Sequence, residues 1–174
     1  FLGFALPLPD RRWGTSAFGW QQLNIDPYYR EETFSLSHGG RWHRELAQAE
    51  VLLGGSAKLL RRSFGGFPEA GNAKTGLAAT GLADPALAKN GMTAFDMDLG
   101  TQLRWRRHYA LGLAVSHLPE PNVAFTSAAK DPLYRRMNLG LSYRSLLSVL
   151  NAEYSNRVSG AGTRDHVMTL GAER

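Results

Sequence analysis

The chain has no cysteine among its 174 residues, which excludes disulfides, thiolate nucleophiles and cysteine-ligated metals. This is compatible with an oxidising cell envelope without requiring one. No apolar run approaches the roughly 18 residues of a transmembrane helix, so none is expected. Sustained helical periodicity is also absent, and the one short helix the sequence predicts spans His43–Ala49. The five histidines, His38, His43, His108, His117 and His166, form no HExxH or comparable metal spacing and read as rim or loop residues. There is no GxSxG elbow, and the pairs Gly39-Gly40, Gly54-Gly55 and Gly65-Gly66 lack the strand-to-helix setting of a phosphate loop. Positive charge is modest, a net +5 from 20 Lys and Arg against 15 Asp and Glu. The Arg-Arg pairs at 11–12, 61–62, 106–107 and 135–136 fall at turns or strand ends. With no basic stripe interleaved with aromatics, nucleic acid is not an expected partner. No cofactor, no metal and no enzymatic activity are predicted.

What the sequence has in quantity is alternation. In Phe95-Asp96-Met97-Asp98-Leu99-Gly100-Thr101-Gln102-Leu103-Arg104-Trp105, the residues Phe95, Met97, Leu99, Leu103 and Trp105 share one face. Asp96, Asp98, Gln102 and Arg104 share the other, because successive side chains of a strand point to opposite sides. The apolar face runs uncharged for about 10 residues, the length a tilted strand needs to cross a bilayer. Charges of both signs on the opposite face suit a wet lumen and would be costly in a dry core. The segments 50–62, 108–118, 134–144 and 146–156 repeat the pattern, and about nine strands are predicted in all. The other four cover 1–8, 13–24, 31–42 and 165–174, with the fifth at 93–106. The predicted fold is therefore all-β, an antiparallel up-and-down transmembrane β-barrel forming a single domain over 1–174. The chain opens at Phe1 inside one alternating segment and stops at Arg174 inside another, and it is expected to be an incomplete fragment of a longer protein.

Connection lengths are predicted to alternate. Those after the first, third, fifth and seventh strands are short, and those after the second, fourth, sixth and eighth are longer. Residues 65–92 form the longest, an extracellular loop rich in Ala, Gly and Leu. Outer-membrane barrels sort their loops this way, with short periplasmic turns. Aromatics sort with them: Trp42, Trp105, Tyr109 and Tyr143 lie toward the short-turn ends of their strands, as does Trp13. Trp20, Phe34, Phe95 and Tyr154 lie toward the long-loop ends. Two interfacial belts of such rings are expected at a membrane. Trp13 breaks parity with Phe18 and Trp20 and needs a bulge or an inward orientation.

The candidate site is the polar face: Lys58, Asp96, Asp98, Gln102, Arg104, Asn138, Arg144, Asn151 and Glu153. Asp96 and Asp98 lie roughly 6–7 Å apart by strand rise, a separation compatible with acid–base work or cation binding. Lys58, Arg104 and Arg144 on the same face are expected to neutralise them, making a lumen salt-bridge network.

Three phrases carry a family resemblance: Leu52-Leu53-Gly54-Gly55-Ser56-Ala57-Lys58-Leu59-Leu60, Ala94-Phe95-Asp96-Met97-Asp98-Leu99-Gly100 and Tyr109-Ala110-Leu111-Gly112-Leu113-Ala114-Val115-Ser116-His117-Leu118-Pro119. They resemble recurring strands of PorV-like barrels, within the wider FadL-like outer-membrane superfamily, over residues 30–174. The resemblance implies a bacterial outer-membrane barrel of about 14 strands. PorV-like members hold or shuttle secreted proteins in the type IX secretion system, and FadL-like members pass hydrophobic compounds. No functional residue matches a FadL substrate motif. The partners implied are outer-membrane lipid and, through the long loops, other envelope or secreted proteins. Two alternatives stand beside the PorV-like anchor: a FadL-like channel for hydrophobic small molecules, and a soluble ligand-binding β-barrel with its Leu, Met and Tyr face inward.

Overall fold

Two-residue periodicity dictates strands, and nine form in chain order: β1 (Leu2–Pro7), β2 (Thr15–Ile25), β3 (Tyr29–Leu46), β4 (Ala49–Phe64), β5 (Gly91–Trp105), β6 (Tyr109–Ser116), β7 (Arg136–Arg144), β8 (Val149–Val158) and β9 (Arg164–Glu173). The computed structural model describes residues 1–9, 13–26, 28–46, 49–64, 91–125, 129–158 and 162–174, with the backbone alone for 43–46. Each strand pairs antiparallel with its neighbour in sequence, giving one up-and-down sheet. β1 and β9 are its two edges and the sheet is open. There is no helix among the described residues.

The helix expected at His43–Ala49 is corrected. β3 runs through Leu46 and pairs with Ala49 of β4, with a register shift between Trp42 and Leu46. One turn of isolated helix gains a single hydrogen bond for several fixed residues. Extending the ladder across a bulge satisfies the same backbone more fully. The expected alternation of connection lengths holds only in part. The β4–β5 and β6–β7 connections, 65–90 and 117–135, are long, but β2 and β3 are joined by residues 26–28 alone. Their ladder continues to Ile25↔Tyr29, and Tyr28 N–H closes the turn on the Ile25 carbonyl at 2.6 Å. The expected long loop at 65–92 falls on residues 65–90, outside the described residues, and on Gly91 and Met92, which begin β5.

Register converts alternation into two continuous surfaces. One row across the sheet reads Leu2, Trp20, Phe34, Leu59, Phe95. Another reads Trp42, Val51, Leu103, Leu111, Leu141, Ala152, Leu170, and the row beside it contains Trp105, Tyr109, Tyr143 and Leu150. The opposite surface carries Ser37, Ser56, Asp98 and, toward β8, Asn138 and Ser155. One continuous hollow on this polar side is lined by residues of every strand from β3 through β8, so the sheet curls around its polar face.

Burial is inverted relative to a water-soluble fold. Among the described residues only Leu60 and Val123 are buried hydrophobics, whereas Glu32, Asp96 and Ser155 are buried polar groups. Phe4, Leu36, Leu111, Leu139, Leu141 and Leu170 are all exposed on the convex side. Trp13 lies outside β2, and Gly14 between them has φ of +73°. That left-handed residue resets the parity that Trp13 broke, and a Cβ on Gly14 would collide with the Gly39 carbonyl.

Candidate functional site

The polar face concentrates its charge near the long-connection ends of β4 and β5. Register sets Lys58 opposite Asp96, and Ser56 opposite Asp98. Side chains at i and i+2 of one strand share a face, so both carboxylates face the same ammonium. Lys58 Nζ pairs with Asp98 Oδ2 and stands 3.7 Å from Asp96 Oδ2. Asp96 is 0% exposed, and its Oδ1 has no hydrogen-bond partner. The fourth member is His117, whose Nδ1 lies 2.8 Å from Asp96 Oδ2. Its backbone N–H donates to Asp98 Oδ1 at 3.1 Å.

His117 reaches this face through a break in the strand pattern. Continued alternation after Val115 would place it on the apolar side. Instead it has φ of 56°, and the next N–H, from Leu118, donates to the Met97 carbonyl at 2.9 Å. A left-handed residue here acts as a bulge, turning the ring across to the polar side of the sheet. His117 does lie at a strand end, as the sequence indicates, but its contact with Asp96 is not visible in the sequence. Its only sequence signal is the adjacent Leu118-Pro119, which ends the strand.

The β6–β7 connection then folds over the polar side. Its two arms meet at the Asn122↔Pro132 bridge, with Val123 N–H to the Asp131 carbonyl and Leu133 N–H to the Pro121 carbonyl, both at 2.9 Å. Asn122 braces the turn, its Oδ1 accepting from Asp131 N–H at 2.8 Å. Phe125 packs on Phe64 with ring centroids 4.3 Å apart, Phe64 packs on Tyr29 at 5.5 Å, and Arg62 stands 4.0 Å from Asp131. The connection is thus held against β3 and β4 by an aromatic cluster and an ion pair.

The remaining polar residues share the face but not the cluster. Gln102 accepts from Arg104 Nε at 3.0 Å, and Asn138 accepts from Ser155 Oγ at 2.8 Å and from Arg136 Nε at 3.2 Å. Asn151 pairs with Ser142 and Glu153 with Gly140 in the register. Arg104 and Arg144 do not neutralise Asp96 and Asp98, contrary to expectation. Arg104 is six residues beyond Asp98 on the same strand, about 20 Å at ~3.4 Å per residue, and among the Lys and Arg side chains described Lys58 alone pairs with the two carboxylates. Of the aromatics, Trp105, Tyr109 and Tyr143 form a contiguous convex cluster with centroids 5.7 and 5.1 Å apart. Trp42 lies one row in, Trp20 stacks on Phe34 at 6.5 Å in the row of Phe95, and Tyr154 is in another row, its hydroxyl 2.6 Å from His166 Nδ1.

Chemically, Asp96, Asp98 and His117 place ligand atoms within 4.8 Å of one another, the donor set of a three-ligand cation site. Lys58 already supplies the cation to both carboxylates, and the arrangement reads as a buried ionic network that ties the β6–β7 connection to the sheet. No protein-family model, curated protein or solved structure matches the chain.

Proposed function

We propose that this chain is part of the wall of a bacterial outer-membrane β-barrel, with its apolar face against lipid and its polar face toward a lumen. In this reading it performs no chemistry and serves as a membrane anchor or accessory of a secretion or surface-protein complex, as PorV-like barrels do. The observation that carries the membrane reading is the inverted burial. Rows of Leu, Met, Phe and Tyr lie exposed across nine strands while Asp96 is fully enclosed on the opposite face. Contiguous apolar surface of this extent is untenable in water. The soluble-barrel alternative requires the reverse orientation. Unpaired ladder groups are equally untenable in lipid, so further strands cover β1 and β9 in the assembled wall, in keeping with the roughly 14-stranded form that the resemblance implies.

The anchor is favoured over a channel by the β6–β7 connection. It is internally braced and pinned to the polar face by His117, Phe125 and Asp131, which narrows the lumen and offers a shaped surface at the long-connection end. One observation favours the second reading, a channel for hydrophobic small molecules. The hollow along mid-sheet has a volume of about 840 Å³ and is lined by Gly39, Gly54, Gly100, Gly112 and Gly140, which leave room for a solute.

The test is to fractionate cells making the full-length protein and run the membrane fraction unboiled and boiled on a denaturing gel. A detergent-extracted band that changes mobility on boiling is the expected result. A freely soluble protein without a shift refutes the membrane reading and returns the soluble barrel.

A further inference from the structure

The two ends of the polar face treat their charges differently. At the long-connection end most of the polar-face cations are paired, Lys58 with Asp98, Arg30 with Glu32, Arg62 with Glu31, Arg135 with Glu120 and Arg157 with Asp165, while Arg136 is held by the neutral Asn138 and Ser155. At the short-turn end Arg104, Arg107 and Arg144 take part in no ion pair among the described residues. All three line one cavity of about 500 Å³ on the polar side, together with Glu50, His108 and Ser142.

Register explains the convergence. Arg104 of β5 is paired with Ala110 of β6, which is paired with Ser142 of β7, two residues before Arg144. Ala110 is too small to separate the two arginines, so both can reach over β6. Arg107 enters from the β5–β6 turn. That turn is strained: Arg106 and Arg107 have φ of 49° and 58°, a backbone normally given to Gly or Asn, and His108 N–H closes it on the Trp105 carbonyl at 3.2 Å. Strain of this kind at two consecutive charged residues marks a held orientation. The single carboxylate of the cavity, Glu50, is engaged by Arg41. Arg106 is turned to the convex side, its guanidinium 4.9 Å from the Trp105 ring.

We propose that this cavity is a binding site for a soluble oxyanion, a phosphate group carried by a small ligand. Three planar guanidinium forks, none in an ion pair among the described residues and outnumbering the one carboxylate of the cavity, Glu50 opposite Arg104, offer the bidentate geometry that phosphate takes. Their mutual repulsion is relieved when a dianion sits among them. The Ser142 hydroxyl supplies a neutral donor in the same row. The assignment does not rest on the membrane reading, since the cavity lies on the polar side and a soluble curled sheet would form it equally.

The experiment titrates inorganic phosphate into the purified full-length chain at low ionic strength by calorimetry. It compares Arg104→Gln, Arg144→Gln, the double variant, Arg104→Lys, and Arg135→Gln at the far end as control. Saturable binding is expected in the starting protein and in Arg135→Gln. Each Gln substitution should weaken it roughly tenfold, the double variant roughly a hundredfold, and Arg104→Lys less than Arg104→Gln. Far-UV circular dichroism checks each fold, and should the double variant fail to fold, the single Lys and Gln pair decides. Absence of phosphate binding overturns the site, as does equal weakening by Arg135→Gln. Calorimetric binding of vesicles containing phosphatidylglycerol, with none of free phosphate, overturns it too, assigning the arginines to a lipid headgroup.

Discussion

A series of arginine substitutions along the convex side of β6 tests the orientation of the whole sheet. Tyr109, Leu111 and Leu113 lie in successive rows of that face, and Leu111 is already 44% exposed. If the face is wet, Leu111→Arg replaces one exposed side chain by another and changes stability by less than about 0.5 kcal/mol. In lipid the cost depends on depth. Two residues of strand at ~3.4 Å each, tilted about 40°, carry Leu111 about 5 Å inward from the Tyr109 ring and Leu113 about 10 Å. Half of an apolar band about 25 Å tall is ~12 Å, so Leu113 is close to the midplane and Leu111 halfway to it. The expected penalties are therefore about 0–1 kcal/mol for Tyr109→Arg, about 2 for Leu111→Arg and about 2–4 for Leu113→Arg. Ala114→Arg, on the polar face, should cost less than about 1 kcal/mol. Urea titration of the chain folded into phospholipid vesicles, followed by tryptophan fluorescence and gel mobility, reads all four. A flat series within about 0.5 kcal/mol would refute the lipid-facing assignment.

Two further predictions concern the ionic network. Lys58→Met leaves two facing carboxylates without their cation and should destabilise by about 2–3 kcal/mol, the lower part of the buried-pair range because Lys58 is partly exposed. Adding Asp96→Asn should recover most of this in urea titrations, and a neutral Lys58→Met would dismiss the network as a stabilising element. His117→Ala removes one of the contacts to the enclosed Asp96 carboxylate and should raise hydrogen exchange across residues 118–125 while leaving β7 and β8 protected. Unchanged exchange would mean that the connection is held by Phe125 and Arg62 alone.

The strands were legible because a half-exposed sheet writes its two faces directly into the chain. All nine expected segments are strands, with ends displaced by no more than a few residues. The period of 2 survives through the glycines of β4, β5, β6 and β7 because a residue without a side chain violates neither face, Gly55 lying opposite Leu99 on the apolar side and Gly54, Gly100, Gly112 and Gly140 on the polar side. The false helix at His43–Ala49 arose where that period fades. A hairpin bulge there lets pairing continue without alternation, which no local propensity reveals. The β2–β3 connection was overestimated for the opposite reason: Tyr29 and Arg30 are strand residues whose polarity resembled a loop. Closure of the sheet, by contrast, is a property of edges, and neither β1 nor β9 carries a pattern that names its neighbour.

The site was half legible, and the boundary is physical. Lys58, Asp96 and Asp98 share parity and adjacent strands, so their meeting follows once register is set, as Lys58↔Asp96 confirms. Arg104 and Arg144 share parity with that cluster but not position along the strand, and the strand's own length separates them from it. His117 fails in the other direction, because parity alone puts it on the apolar side of β6. Only a left-handed backbone, φ 56°, brings its ring to Asp96. Such a residue costs roughly 1 kcal/mol or more in isolation, and it persists because two hydrogen bonds to carboxylates and the docking of residues 118–125 depend on it. Sequence alternation specifies a sheet, and its local violation specifies where the chain leaves the sheet to close over the polar side.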